Sequence, residues 1–157
     1  MTLSEAGAEG LETTDEPLTV NAKLALRAEV LAPEKFRINP SDIFGPALPG
    51  RWRRDRRSPA ILEAPAWYET VATIDLPVGY DVLADPVAKL VTPFAEYASG
   101  FALRERTLNF SRRLVIKQHI ITAEQWPAFR ELLDQIEEIE RNGIPVFLTE
   151  EVEEPAP

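Results

Sequence analysis

Leu18-Thr19-Val20-Asn21-Ala22-Lys23-Leu24-Ala25-Leu26-Arg27-Ala28-Glu29-Val30-Leu31 is the stretch that decides the fold. Leu18, Val20, Ala22, Leu24, Leu26, Ala28 and Val30 alternate with Thr19, Asn21, Lys23, Ala25, Arg27 and Glu29, a period of two. A strand with one apolar and one polar face belongs to an antiparallel sheet whose second face meets water. Similar runs follow at Trp67 to Leu76, Tyr80 to Leu83, Ala88 to Val91, Ala95 to Arg104, Thr107 to Gln118 and Val146 to Leu148. Glu105-Arg106 is hairpin distance between two of these runs, so they are expected to pair. Pro77-Val78-Gly79 and Asp85-Pro86 punctuate others, and proline falls between the runs.

One segment has the helical period. Trp126, Phe129, Leu132, Leu133, Ile136 and Ile139 recur at three- and four-residue spacing, opposite Arg130, Glu131, Asp134, Glu137 and Glu138. Thr122 and Gln125 have capping-box spacing, but Pro127 would disturb a helix begun at Thr122. The regular helix is therefore predicted from Pro127 to about residue 142, after a turn, with Gly143 stopping it. Pro33 to Pro65 has no clear period; a short strand near Ile61-Leu62 is expected there, with Phe36, Ile38, Ile43 and Phe44 as anchors on the sheet. The fold class that results is mainly β: an antiparallel β-sandwich with one C-terminal amphipathic helix and a short final strand.

The chain has 157 residues, 45% of them hydrophobic, enough for one core. Its net charge of −9 sits at the ends. Residues 1–16 hold five acids and no Lys or Arg, and residues 150–157 hold four acids, leaving a neutral body. Three segments are expected: an acidic, disordered extension over 1–16, the sandwich over 17–149, and an acidic tail over 150–157. A neutral body exerts no global pull on nucleic acid or anionic lipid. No stretch reaches the ~18–20 apolar residues of a membrane helix, and the first residues lack the features of a signal peptide.

Having no cysteine excludes thiol catalysis, disulfides and Cys-ligated metals, and the single His119 excludes constellations built on two imidazoles. His119 reads as a hydrogen-bonded residue at the boundary of strand and helix. Arg51-Trp52-Arg53-Arg54-Asp55-Arg56-Arg57 is the most conspicuous cluster. It reads first as an intramolecular contact with the chain's own acids, and second as an anion or partner contact through Arg51, Trp52, Arg53, Arg54, Arg56 and Arg57. Glu63, Glu69, Asp75 and Asp81 would suit a two-carboxylate hydrolase only if a cleft held two of them face to face; solvated surface is the simpler reading. Trp52, Trp67 and Tyr68 would serve a sugar-stacking platform, against a simpler role in packing. Phosphate loops, nucleophile elbows and calcium loops are missing, so no cofactor is expected.

An ordered series remains: Asp15-Glu16-Pro17-Leu18, Arg57-Ser58-Pro59, Tyr68-Glu69-Thr70-Val71, Leu76-Pro77-Val78-Gly79-Tyr80-Asp81-Val82, Thr92-Pro93-Phe94-Ala95-Glu96-Tyr97, and Ile121-Thr122-Ala123-Glu124-Gln125-Trp126-Pro127. In this order the segments resemble the C-terminal β-sandwich domain of unknown function that follows the transglutaminase-like, papain-fold core in a bacterial multidomain family. The resemblance covers roughly Asp15 to Leu148. It implies a non-catalytic accessory domain whose partner, in cis or trans, is that core, in periplasmic or envelope-associated parents. The catalytic Cys, His and Asp of such parents lie in the core and match no position here. Tyr80 and Tyr97 are expected to serve packing. The rival readings are a binding module for an anionic or carbohydrate polymer and an unrecognised acid–base hydrolase.

Overall fold

The computed structural model describes residues 2–9, 19–25, 35–45, 47, 57–62, 66–83 and 87–149. The chain divides into a unit of residues 1–34 and a unit of residues 35–157. In the first, strands β1 (Thr2–Glu9) and β2 (Thr19–Ala25) pair antiparallel, with a register shift between Leu3 and Glu5. Charge counting placed residues 1–16 in a solvated extension; instead residues 2–9 form a strand. A ladder needs only a neighbour for the backbone N–H and C=O groups, so an acidic segment can still pair. The remainder of the deciding run, residue 18 and residues 26–31, lies outside the described residues, as does the tail from residue 150.

The second unit carries the core. Its elements are β3 (Lys35–Ile38), α1 (Pro40–Phe44), β4 (Ala60–Ile61), β5 (Ala66–Asp75), β6 (Tyr80–Val82), β7 (Ala88–Val91), β8 (Ala95–Arg104), β9 (Thr107–Ile116), β10 (Ile120–Ile121), α2 (Trp126–Asn142) and β11 (Ile144–Leu148). Four strands form one antiparallel sheet in the order β5-β9-β8-β7, and three form another in the order β3-β11-β6. A two-stranded ladder joins β10 to β4.

Alternation explains the layering. On β9, Leu108, Phe110, Arg112, Leu114 and Ile116 are buried and the alternate residues between them point outward. The inner face of the four-stranded sheet is covered in two halves. Tyr97, Leu114 and Ile116 pack with Trp126, Phe129, Leu132, Leu133 and Ile136 of α2, while Phe101, Leu108 and Phe110 pack with Ile38, Ile144 and Val146 of the three-stranded sheet. The sequence expectation of an antiparallel sandwich with one late helix and a final strand therefore holds. At roughly 1.5–3 kcal/mol per large buried side chain, the helix stripe is a principal anchor.

Local chemistry sets the boundaries. Thr122 and Gln125 form the reciprocal capping pair, Gln125 N–H donating to Thr122 Oγ1 at 3.3 Å and Thr122 N–H to Gln125 Oε1 at 3.0 Å. They close a turn ahead of α2, and Pro127 falls in its first turn, where no N–H is needed. Gly143 ends the helix at φ +60°, and Arg37 donates to the Asn142 carbonyl there. The hairpin between β8 and β9 pairs Arg104 with Thr107 and forces Glu105 to φ +56°. In the proline-rich region, β3 and α1 are elements the periodicity did not reveal, because four or five residues are too short to show one.

Candidate functional site

The two halves of the core meet at a polar row. Thr70, Arg112 and Ser99 stand opposite one another across β5, β9 and β8. Arg112 lies between Phe110 of one apolar cluster and Leu114 of the other. Across from it, Glu140 follows Ile136 by one helical turn on the buried side of α2. Both are 5% exposed, the only charged residues buried among those described.

Their bonds are nearly complete. Arg112 Nη1 donates to Glu140 Oε1 at 2.8 Å, Nη2 to the Gly45 carbonyl at 2.7 Å and the Phe44 carbonyl at 3.4 Å, and Nε to Thr70 Oγ1 at 3.2 Å. The Tyr97 hydroxyl donates to Glu140 Oε1 at 3.3 Å, and the Ser41 hydroxyl to Oε2. Burial pushes the Tyr97 hydroxyl up to about 12, and the nearby Glu140 carboxylate adds to the rise. A cavity of about 220 Å³ lies beside the seam, its wall including Tyr97, Ser99, Phe101, Glu140 and Ile144. An ion pair this well satisfied holds α1, α2 and the three strands β5, β8 and β9 in one arrangement and offers no unbonded base or nucleophile at its centre.

The parity of Arg112 with Phe110 and Leu114, and the spacing of Glu140 from Leu133 and Ile136, were visible in the sequence. Two opposite charges on two apolar faces that must pack together are the signal.

The residues singled out from sequence are dispersed. Arg51, Trp52, Arg53, Arg54, Arg56 and Glu63 lie outside the described residues, and Arg57 is exposed. His119 is exposed, and its carbonyl accepts the Leu62 N–H at 2.7 Å. Glu69 and Asp75 are exposed on the outer side of one strand, and Asp75 accepts the Thr107 hydroxyl at 3.1 Å. Asp81 accepts the neighbouring Val82 N–H at 2.7 Å. These three carboxylates therefore do not face one another across a cleft. Trp67 points outward with the Arg113 guanidinium 5.6 Å from its ring centre, while Tyr68 points inward onto the core. Adjacent residues of one strand face opposite ways, so Trp67 and Tyr68 form no shared platform. Tyr80 packs edge-to-face on Phe36 at 5.6 Å, and Tyr97 adds a polar bond to the packing role expected of it. Among the described residues no group of three His, Cys, Asp or Glu side chains could hold a metal ion. No described helix is long and apolar enough to cross a membrane.

Beyond the seam, the outer face of the four-stranded sheet presents exposed side chains. One row sets Trp67, Val115, Glu96 and Val91 side by side, and the next sets Glu69, Arg113, Ala98 and Lys89. Trp67, Val71 and Val91 are 49%, 74% and 57% exposed on this face. Lys117 pairs with Glu96 at 2.5 Å and holds its carboxyl below the usual range.

Fold and seam define a class: a small antiparallel sandwich braced by a helix, its buried charges spent on architecture. The chain belongs to the family described as a Domain of Unknown Function with solved structure (DUF3858), whose model matches residues 45–145. A solved structure described as a "putative protease" from Parabacteroides distasonis ATCC 8503 is similar, with a TM-score of 0.54 at 15% identity over 62% of this chain. At that identity the likeness is one of fold. The chain spans 19% of the length of that protein. No curated protein matches.

Proposed function

We propose that this chain is a non-catalytic accessory sandwich that packs on, and orients, a transglutaminase-like catalytic core, in cis or in trans. One observation carries the reading. The inner face of the four-stranded sheet is fully used by α2 and the second sheet, whereas its outer face presents Trp67, Val71 and Val91 to solvent, with the small Ala98 and Ser111 near its middle and the charged Glu69, Lys89 and Arg113 among them. Small central residues let another backbone come close, and the apolar residues around them gain from being covered. The much greater length of the structurally similar protein fits a domain that works beside others. The closed Arg112–Glu140 network and the dispersed carboxylates fit a role without chemistry of its own. The resemblance carried by the ordered segments from Asp15 to Pro127 extends the proposal to parents in the periplasm or cell envelope.

The test is calorimetric titration of this chain into a transglutaminase-like core from the same genome. Saturable binding is expected, weakened at least about tenfold by Ala98→Lys, which raises a long charged side chain from the middle of the face. Absence of binding, or binding indifferent to that change, removes the proposal.

A further inference from the structure

Strand β5 ends the four-stranded sheet, and nothing among the described residues pairs with its outer edge. Edge strands are commonly blunted by brevity, Pro, Lys or a bulge. The opposite edge, β7, follows that practice: it is four residues long, carries Lys89, and lies between Pro86 and Pro93 in sequence. β5 carries none of these devices. It runs ten residues without Pro, Gly or Lys, and its register with β9 is unbroken.

The core is also incomplete on that side. The inward residues of β9 are all buried, from Leu108 to Ile116, yet their β5 counterparts Ala66, Tyr68, Thr70, Ala72 and Ile74 are each only half-buried. A further strand at this edge would cover them.

The sequence of β5 is complementary to itself. In an antiparallel self-pairing centred on Val71, Tyr68 stands opposite Ile74, Glu69 opposite Thr73, and Trp67 opposite Asp75, while Val71 meets its own copy. No like charges meet. Centring on Glu69 would oppose two glutamates, and centring on Ala72 would oppose Glu69 and Asp75. Centring on Thr70 would leave Tyr68 against Ala72 instead of the β-branched Ile74, the weaker pair.

We propose that a second copy of this chain pairs along β5, with a two-fold axis at Val71, joining two four-stranded sheets into one of eight strands. An isologous contact of this kind closes on itself and buries both open edges at once. It uses the backbone edge of the sheet and is read by self-association and crosslinking of the chain alone, so although Val71 is shared with the face described above, it succeeds or fails independently of the docking proposed there.

Because the chain has no cysteine, single cysteines report the register directly. Val71→Cys places two sulfurs across the axis, where paired Cα atoms stand about 4.5–5.5 Å apart, within disulfide reach. Thr73→Cys places its copies about 13 Å apart, four residues along the ladder, beyond that reach. Sedimentation of the unmodified chain should give about twice the 17.6 kDa chain mass. Mild oxidation should crosslink V71C and leave T73C uncrosslinked. Val71→Lys, at a site already 74% exposed, should weaken dimerisation about tenfold or more. With circular dichroism unchanged, a monomer at concentrations of ~100 μM sinks the proposal, as that places any Kd above the range of a useful contact. Failure of V71C to crosslink, equal crosslinking of T73C, or a dimer indifferent to V71K would sink it equally.

Discussion

Removing half of the buried ion pair is the sharpest perturbation this fold allows. Glu140→Leu leaves the Arg112 guanidinium in a site 5% exposed, without the carboxylate 2.8 Å away. At an effective dielectric of about 20, two charges 4 Å apart attract by about 4 kcal/mol, and stranding one partner of a buried pair costs about 3–5 kcal/mol. Arg112 would keep the Gly45 and Phe44 carbonyls and Thr70, which places Glu140→Leu near the lower end, about 3 kcal/mol. Arg112→Met should cost more, about 4–5 kcal/mol, because it strands the carboxylate and also deprives the Gly45 carbonyl of its donor. The double variant restores an apolar seam and should lie within about 1–2 kcal/mol of the parent. Urea unfolding of all four proteins closes the cycle. Thermal midpoints should follow at about 3–5 °C per kcal/mol for a unit of this size. A Glu140→Leu cost below about 1 kcal/mol, or strictly additive losses in the double variant, would refute the view that these residues act as one structural pair.

Three further outcomes are expected. Glu105→Gly should stabilise the chain by about 1 kcal/mol in urea unfolding, since Glu105 sits at φ +56° where a Cβ is strained. Gly143→Ala should destabilise by about 2 kcal/mol or more, because φ is +60° and a Cβ there would run into the Asn39 side chain and lie 3.0 Å from the Ile38 carbonyl oxygen; an unchanged midpoint would count against the tight exit from α2. Tyr97 keeps its proton in the folded state up to about pH 12, whereas unfolded chains lose it near 10. Its contribution is therefore intact below about pH 10 and declines by about 1.4 kcal/mol per pH unit between the two values. Tyr97→Phe should flatten that alkaline decline in pH-resolved unfolding, and an identical slope in both proteins would contradict it.

The long alternating runs made β5, β8 and β9 legible, because a period of two over ten residues cannot be met by a helix with one apolar face. Helix α2 was equally plain, down to the turn that precedes Pro127. Strand β3 and helix α1 were hidden by their brevity among prolines, although Phe36, Ile38, Ile43 and Phe44 were legible as anchors and do pack on the core. The polar seam was not legible for another reason: Arg112 and Glu140 sit on the apolar register of their elements, but a charged residue there breaks the apolar pattern instead of extending it. Charge is a guide to exposure only until two opposite charges find each other inside.

The most direct check on the claim that chemistry resides on a neighbour is turnover by the purified chain itself, measured with fluorogenic amide, ester and glycoside substrates. The account predicts no rate above buffer. Turnover that is lost on Asp81→Asn or His119→Ala would contradict it.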